Sequence, residues 1–214
     1  MSRIIDRGLE EQSVLITKMA ELTYETLALS IQGYVKGKSV QDDVREMSDT
    51  LVALADKLED KTFELIARFQ PVASDLRTIK SYMKIGNDFA RFGRYALDIS
   101  FINEKVKGLK ECDSSVKEYL EEMSEKVLSM VEISIDSLRK LDVTLAKSIS
   151  ETEREVDKMY LEYLERLIDN EQTNSKCIIS SVLMTRYLER IADHATYVCE
   201  SIVYIVTGEK VTLS

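Results

Sequence analysis

The sequence predicts an all-α protein built from two tandem three-helix bundles, and both composition and internal similarity support that prediction. Its 214 residues include one proline and seven glycines, whereas β-sandwiches and barrels need a turn roughly every 8 to 12 residues and use these residues to make them. Apolar residues make up 44% of the chain, enough to bury a substantial core. Two segments that lie 99 positions apart are alike, which favours a duplicated helical unit.

The first half is predicted to contain three helices. The first spans about residues 8–35 and is interrupted at Gly33 and at residues 37–39. Ser39 is suited to cap a second helix that reaches about Gln70, because a serine hydroxyl accepts hydrogen bonds from first-turn amides. Pro71 is expected to open the third helix, which ends near Gly108, because proline is tolerated in a first turn.

The second half is predicted to follow the same plan. A fourth helix covers about residues 113–141, and a short turn at residues 142–144 precedes a fifth helix that reaches about Asp169. The polar residues 170–175 are typical of a loop. The sixth helix follows this loop and ends at Gly208, because glycine is the residue most often found just beyond a helix C-terminus.

The internal similarity lies in the third and sixth predicted helices. Residues 88–96 align with residues 187–195 and share an arginine, a small residue and an alanine at the same spacing. Short connections favour antiparallel neighbouring helices. We therefore expect one bundle in residues 1–110 and the other in residues 111–214. A single continuous six-helix body is the alternative that the sequence leaves open.

Charge and hydropathy argue against several classes of protein. The 38 acidic residues outnumber the 29 basic ones and give a net charge of −9, which repels nucleic-acid phosphates at long range. The longest uncharged stretch is the ten residues 26–35, half of the roughly 20 needed to cross a bilayer. Charged side chains at Arg3, Asp6 and Arg7 interrupt the apolar run of a signal peptide. We expect a cytoplasmic protein without direct nucleic-acid contact.

Few residues are available for covalent catalysis. Cys112, Cys177 and Cys199 are odd in number and lack the paired spacing of a zinc site, so we expect reduced cysteines in the core. A catalytic triad would have to use the single histidine, His194, which lies in the middle of a predicted helix. Residues 33–39 differ from a phosphate loop because three residues separate the glycines and a helix precedes them. The sequence therefore favours a protein that is not an enzyme.

Two carboxylate pairs form the strongest candidate site. Glu153 and Asp157 share one face of the fifth predicted helix, because residues i and i+4 are neighbours there. Glu153 also lies in phase with the apolar face, and a buried carboxylate needs a cationic partner, a raised pKa or a metal. Glu189 and Asp193 form a similar pair on the sixth helix. Packed together, the four carboxylates would suit Fe, Mn, Mg or Zn.

Other interpretations of these residues stay open. Arg186 and Arg190 are available as salt-bridge partners, which would explain the carboxylates without a metal. His194 is either a peripheral metal ligand or a hydrogen-bonded structural residue. The di-iron bundles of the ferritin type need a Glu-x-x-His motif, and Ile191 lies three residues before His194. That class of oxidase is therefore disfavoured.

Two blocks of sequence are distinctive: residues 187–208, which contain Glu200, and residues 70–77. They resemble the second-repeat signature and the start of the third helix in the PhoU family of phosphate-uptake regulators. The resemblance covers nearly the whole chain and implies two tandem three-helix bundles. It also implies a multinuclear iron or zinc cluster, with His194 and Glu200 at its periphery and four residues as ligands: Glu153, Asp157, Glu189 and Asp193.

The first half departs from the family pattern. The acidic motifs expected there fall at Ala90 and Arg94 on the third predicted helix and at Ser48 and Val52 on the second. None of these four positions carries a carboxylate. The resemblance therefore implies a metal site in the second bundle and none in the first.

The resemblance also implies a function. Family members are cytoplasmic adaptors that restrain phosphate uptake and phosphate-starvation signalling through contact with the ATPase subunit of the phosphate transporter and, in many bacteria, with a sensor histidine kinase. We expect a homodimer that reaches the membrane only through such partners. A carboxylate-bridged metalloenzyme and a metal-free helical scaffold or adaptor are the alternatives.

Overall fold

The computed structural model describes residues 3–107, 109–110, 112–168 and 174–214, and within these ranges every regular element is a helix. Six helices are long, and one, α5, has five residues, which confirms the all-α prediction. None of the described helices combines the length and the apolar character needed to cross a membrane. The helices are α1 (Ile4–Lys36), α2 (Gln41–Phe69), α3 (Ala73–Val106), α4 (Ser114–Lys140), α5 (Val143–Lys147), α6 (Ile149–Ile168) and α7 (Ser175–Thr207).

Several helix ends lie where the sequence predicts them. Gly208 adopts the left-handed region (φ 78°) and its amide bonds the carbonyl of Tyr204, so it is the C-cap of α7. Gly37 ends α1 in the same way, with φ 62°. At the start of α5, the Asp142 carboxylate accepts hydrogen bonds from the amides of Thr144 and Leu145, at 2.9 and 3.0 Å. Such caps satisfy amides or carbonyls that have no partner inside the helix.

Other boundaries differ from the prediction. Val40, not Ser39, is the N-cap of α2. Pro71 does not open α3, which begins at Ala73, because Gln70 and Ala73 adopt positive φ values of 47° and 48° and turn the chain around it. The predicted fifth helix is divided at Ser148 into α5 and α6. The boundaries predicted at 108, 111 and 169–173 lie outside the described residues.

The helices form two bundles that share one core. Helices α1, α2 and α3 pack together, as do α4, α5, α6 and α7, and the bundles meet where α3 packs on α7 and α1 on α4. A single apolar cluster extends through both halves. The repeat is visible in the buried face of α3 and α7, where residues 99 positions apart are fully buried in both helices: Ile85 and Met184, Phe89 and Leu188, Phe92 and Ile191, Ala96 and Ala195.

A buried polar contact joins the two bundles along α3 and α7. The Nδ1 atom of His194 lies 2.8 Å from the Oδ1 atom of Asp88, and its Nε2 atom lies 3.4 Å from the Tyr95 hydroxyl. The Phe92 and His194 rings are arranged edge to face, with their centroids 6.3 Å apart. His194 is thus hydrogen-bonded at both ring nitrogens, whereas the Oδ2 atom of Asp88 is buried without a partner among the described residues.

The prediction of three reduced cysteines is wrong. Cys112 and Cys177 form a disulfide, with Cα atoms 5.2 Å apart, across a sequence separation of 65 residues. The fold brings the segment before α4 next to the first turn of α7, a proximity that spacing in the sequence does not reveal. Cys199 is free and buried, as expected, and burial raises the pKa of its thiol to about 12.

The substitution Phe92→Ala tests the contact between α3 and α7. Phe92 is fully buried, so its loss should lower the free energy of unfolding by about 3–5 kcal/mol. Phe101→Ala on the same helix is the matched control, because that ring is 48% exposed and its loss should matter far less. Urea denaturation measures both, and equal losses would contradict the proposed core.

Candidate metal centre

Three predicted carboxylates meet between α6 and α7. One oxygen atom from each of Glu153, Asp157 and Asp193 lies within 4.8 Å of the others. In the described part of the chain this is the only group of three acidic, histidine or cysteine side chains with that geometry. Three of the four predicted carboxylates thus lie together, contributed by two helices of the second bundle, and their role as metal ligands stays a prediction.

Helix geometry explains how these residues converge. Glu153 belongs to the buried face of α6 together with Ile149, Val156 and Met159, and Asp157 follows it one turn later on the same side. Helix α6 packs on α7, where Asp193 precedes the buried His194. Because the apolar residues of α6 pack against α7, the acidic residues on the same side of α6 lie at the contact between the two helices.

Glu153 is in the least favourable electrostatic position of the three. It is 2% exposed and makes no hydrogen bond or ion pair with another described residue. Burial, and next the negative charges of Asp157 and Asp193, raise the pKa of Glu153 to about 7. Burial and the charge of Asp193 also raise the pKa of Asp157, against the opposing effect of Arg186. Nearby like charges and desolvation both disfavour the ionised carboxylates.

The fourth predicted carboxylate faces an arginine. Both oxygens of Glu189 accept hydrogen bonds from Arg186 Nη1, at 2.8 and 2.7 Å. Burial and the charge of Asp193 raise the pKa of Glu189, while Arg186 and Arg190 oppose that rise. Arg190 also lies 3.3 Å from Asp193. The salt-bridge interpretation therefore describes Glu189 and part of Asp193, but neither Glu153 nor Asp157 has such a partner among the described residues.

The two peripheral candidates engage other parts of the molecule. His194 is hydrogen-bonded to Asp88 of α3, a partner that sequence reasoning did not identify. The only signal for it was a charged residue within a helix face that is otherwise apolar. Glu200 Oε1 accepts a hydrogen bond of 3.1 Å from the amide of Leu213, in the tail after α7.

The corresponding positions of the first bundle do not form a carboxylate cluster among the described residues. Ala90 is buried and Arg94 is exposed on α3, while Ser48 is buried on α2. A Cβ atom at Gly93 would lie 3.3 Å from the Cα atom of Ser48, so the two helices approach closely here. The absence of metal from the first bundle stays a prediction.

The donor atoms of the cluster suit some metals better than others. All three converging ligands are carboxylate oxygens, which are hard donors preferred by Mg²⁺, Mn²⁺ and iron. Structural zinc sites instead rely on cysteine and histidine. A cation bound between the three carboxyl groups would offset the desolvation of their ionised forms. The residues present therefore fit an oxygen-ligated divalent cation.

The fold and the cluster define a class of protein: a helical protein of two repeated bundles with a carboxylate cluster on the second. The family model described as the PhoU domain matches residues 16–102 and 120–202, one segment in each half. The chain belongs to the PhoU family.

Relatives extend this similarity over almost the full chain. The phosphate-specific transport system accessory protein PhoU homolog of Clostridium acetobutylicum is 29% identical, over 99% of this chain and 98% of that protein. The homolog of the same name from Aquifex aeolicus is 32% identical, over 95% and 93%. The crystal structure of PhoU from Pseudomonas aeruginosa has the same fold, with a TM-score of 0.89 and 24% identity, over 96% of this chain and 100% of that one.

In the metal-free protein, Glu153→Gln should remove a pH-dependent loss of stability. The pKa of Glu153 in the folded protein, about 7, exceeds its ordinary value of 4.5, so folding strengthens proton binding. The resulting stabilisation is complete below about pH 4.5 and is lost as the pH rises through about 7. After chelator treatment, the melting temperature of the unmodified protein should fall relative to the variant between about pH 5 and about pH 8.

Glu151→Gln is the matched control for this measurement, because Glu151 is an exposed glutamate on the same helix. Its melting curve should follow that of the unmodified protein across the same range. Parallel behaviour of all three proteins would contradict the electrostatic description of Glu153.

Proposed function

We propose that this chain is an accessory regulator of a phosphate-specific transport system, which restrains phosphate uptake and phosphate-starvation signalling. The observation that carries the proposal is membership of the PhoU family across both halves of the chain, together with relatives of nearly equal length that bear the name of a transport accessory protein. Regulation is favoured over catalysis because the lone histidine is buried and hydrogen-bonded to Asp88, not paired with a nucleophile.

The proposed mode of action is protein–protein contact with the ATPase subunit of a phosphate ABC transporter. Exposed apolar side chains at the end of α2 and in the connection to α3 offer a surface for it, with Phe63 57% and Val72 73% exposed. Aromatic residues such as phenylalanine are enriched in interface cores, and exposed apolar patches mark interaction sites. A sensor histidine kinase is a second proposed partner, and the proposed assembly is a homodimer.

We further propose that the carboxylate cluster binds metal. Glu153, Asp157 and Asp193 would hold the first ion of an iron or zinc cluster through their carboxylate oxygens. A multinuclear cluster would need Glu189 as well, and Glu189 would have to leave Arg186 to take part. The metal would stabilise the contact of α6 with α7, because its charge offsets the desolvation of three acids.

Metal content after single substitutions tests this site. Glu153→Gln and Asp157→Asn should each lose the bound metal, since each removes one of the converging ligands. Glu189→Gln should keep the first ion and lower the number of ions per chain. Arg94→Ala, at the corresponding position of the first bundle, should leave the content unchanged. Elemental analysis of protein reconstituted with Fe(II) measures this, and full metal content in both Glu153→Gln and Asp157→Asn would refute the site.

Binding to the purified ATPase subunit tests the proposed contact surface. The double variant Phe63→Ser and Val72→Ser should weaken binding by about tenfold or more, as the loss of buried interface anchors does. Leu161→Ser is the matched control, because Leu161 is a 59% exposed apolar residue of the second bundle. Circular dichroism verifies folding of each variant.

The outcome of this experiment separates the proposed partners. Affinity for the ATPase subunit that is unaffected by the double variant would exclude the surface, and absence of affinity would exclude the partner. The same titration with the kinase domain tests the second partner. Sedimentation velocity tests the homodimer, and a turnover assay on phosphoesters and peroxide tests the metalloenzyme alternative.

A further inference from the structure

A cavity lies between α3, α7 and the C-terminal tail that follows Gly208. Its volume is about 310 Å³, at the lower end of the range for small-molecule sites. Glu200, the wall residue of α7 nearest to Asp193 in the sequence, follows it by seven residues, or about 10 Å along the helix. The cavity is therefore separate from the carboxylate cluster. Its lining includes Lys80, Ser81, Lys84, Glu200, Tyr204 and Lys210.

Positive charge is concentrated around this cavity, although the chain as a whole carries a net charge of −9. Lys80 and Lys84 come from adjacent turns of α3, and Lys210 comes from the tail. None of the three forms an ion pair with another described residue. The ammonium groups of Lys80 and Lys84 instead lie 5.9 Å and 5.5 Å from tyrosine ring centroids of α7.

The other charged groups leave this excess of positive charge in place. Glu200 is the one acid on the wall, and its Oε1 atom is engaged by the amide of Leu213. Arg77 adds a further cation nearby, since a Cβ atom at Gly208 would lie 3.5 Å from Arg77 Cζ. The Nε atom of Arg77 is buried without a hydrogen-bond partner among the described residues.

A serine on the wall also has a hydroxyl group available to a ligand. Ser81 is 3% exposed and lines the cavity, and its side chain makes no hydrogen bond with another described residue. Its hydroxyl can therefore donate a hydrogen bond to an acceptor in the cavity.

We propose that this cavity binds a phosphoryl oxyanion, supplied either by inorganic phosphate or by the phosphate group of a small ester. A phosphoryl oxyanion accepts hydrogen bonds from groups such as lysine ammonium and serine hydroxyl. Hydrogen bonds from a charged donor to a charged acceptor are stronger than those between neutral groups. Tyr204 and Val211 provide an apolar wall for the organic part of an ester. The proposal goes beyond the regulatory role and does not depend on the metal site.

The internal repeat shows that the two lysines of α3 have no counterparts in α7. Ile179 and Leu183 of α7 occupy the positions that correspond to Lys80 and Lys84, 99 residues later. Both are exposed apolar residues. The fold itself therefore does not require lysines at these positions, and packing does not explain their presence.

Isothermal titration calorimetry of the full chain tests the proposal with three probes: inorganic phosphate, AMP and adenosine. A chelator in the buffer prevents phosphate from binding to a metal in the carboxylate cluster. At least one phosphoryl probe should bind, and adenosine, which lacks the phosphate, should not. Tighter binding of AMP than of inorganic phosphate identifies an ester as the ligand class, whereas equal affinities identify free phosphate.

Matched variants establish where the probe binds. Lys84→Ala and Lys80→Ala should each weaken binding by about tenfold, the loss expected for a charge-assisted hydrogen bond. Arg91→Ala removes an exposed cation from the same helix outside the cavity, and it should change the affinity by no more than about twofold. Glu153→Gln should leave the affinity unchanged, which separates this site from the metal site.

Three results would overturn the proposal. The first is no binding of either phosphoryl probe at millimolar concentrations. The second is binding of adenosine as tight as that of AMP. The third is an equal effect of Arg91→Ala and Lys84→Ala, which would indicate diffuse electrostatic attraction and no defined site.

Discussion

The packing of α3 against α7 is the constraint on which the rest of the structure depends. These two helices contain the repeat-related apolar residues that are fully buried in both halves, and between them the His194–Asp88 hydrogen bond is hidden from solvent. Because one face of α7 is committed to α3, another face is left for α6, where Asp193 meets Glu153 and Asp157. The remaining edge, with the tail, forms the basic cavity.

At the carboxylate cluster, the apolar packing of α6 on α7 brings together acidic groups that repel one another. The buried face of α6 takes Glu153 into the protein, where like charges surround it and its pKa rises. Arg186 is bonded to Glu189 on its own helix and Arg190 lies beside Asp193, so Glu153 and Asp157 are left without an ion-pair partner among the described residues. An added cation would relieve this imbalance, whereas hydrophobic packing of α6 on α7 only makes it worse.

Sequence patterns predicted the structural features that depend on residues close together in the sequence. The six long helices, the cap at Gly208, the turn near Asp142, and the shared face of Glu153 and Asp157 all follow from spacings of a few residues. Contacts between distant segments were not predictable in this way. The Cys112–Cys177 disulfide and the Asp88–His194 bond depend on the packing of helices. The start of α3 was misplaced for a different reason, since Gln70 and Ala73 adopt positive φ values that these residue types seldom signal.

The two halves of the chain show why one fold carries two different surfaces. At buried positions the repeat preserves apolar character, as Phe89 and Leu188 illustrate, because any polar residue there would lose its hydration. Away from the contact between α3 and α7, aligned positions of the repeat carry opposite charges: the exposed Arg94 corresponds to Asp193, which is partly buried in the carboxylate cluster. The charge at this position therefore follows the surroundings of each helix and not the repeated fold. The resulting division places carboxylates on α6 and α7 and lysines on α3, while the buried contact between α3 and α7 is mainly apolar and includes the hydrogen bonds of His194 with Asp88 and Tyr95.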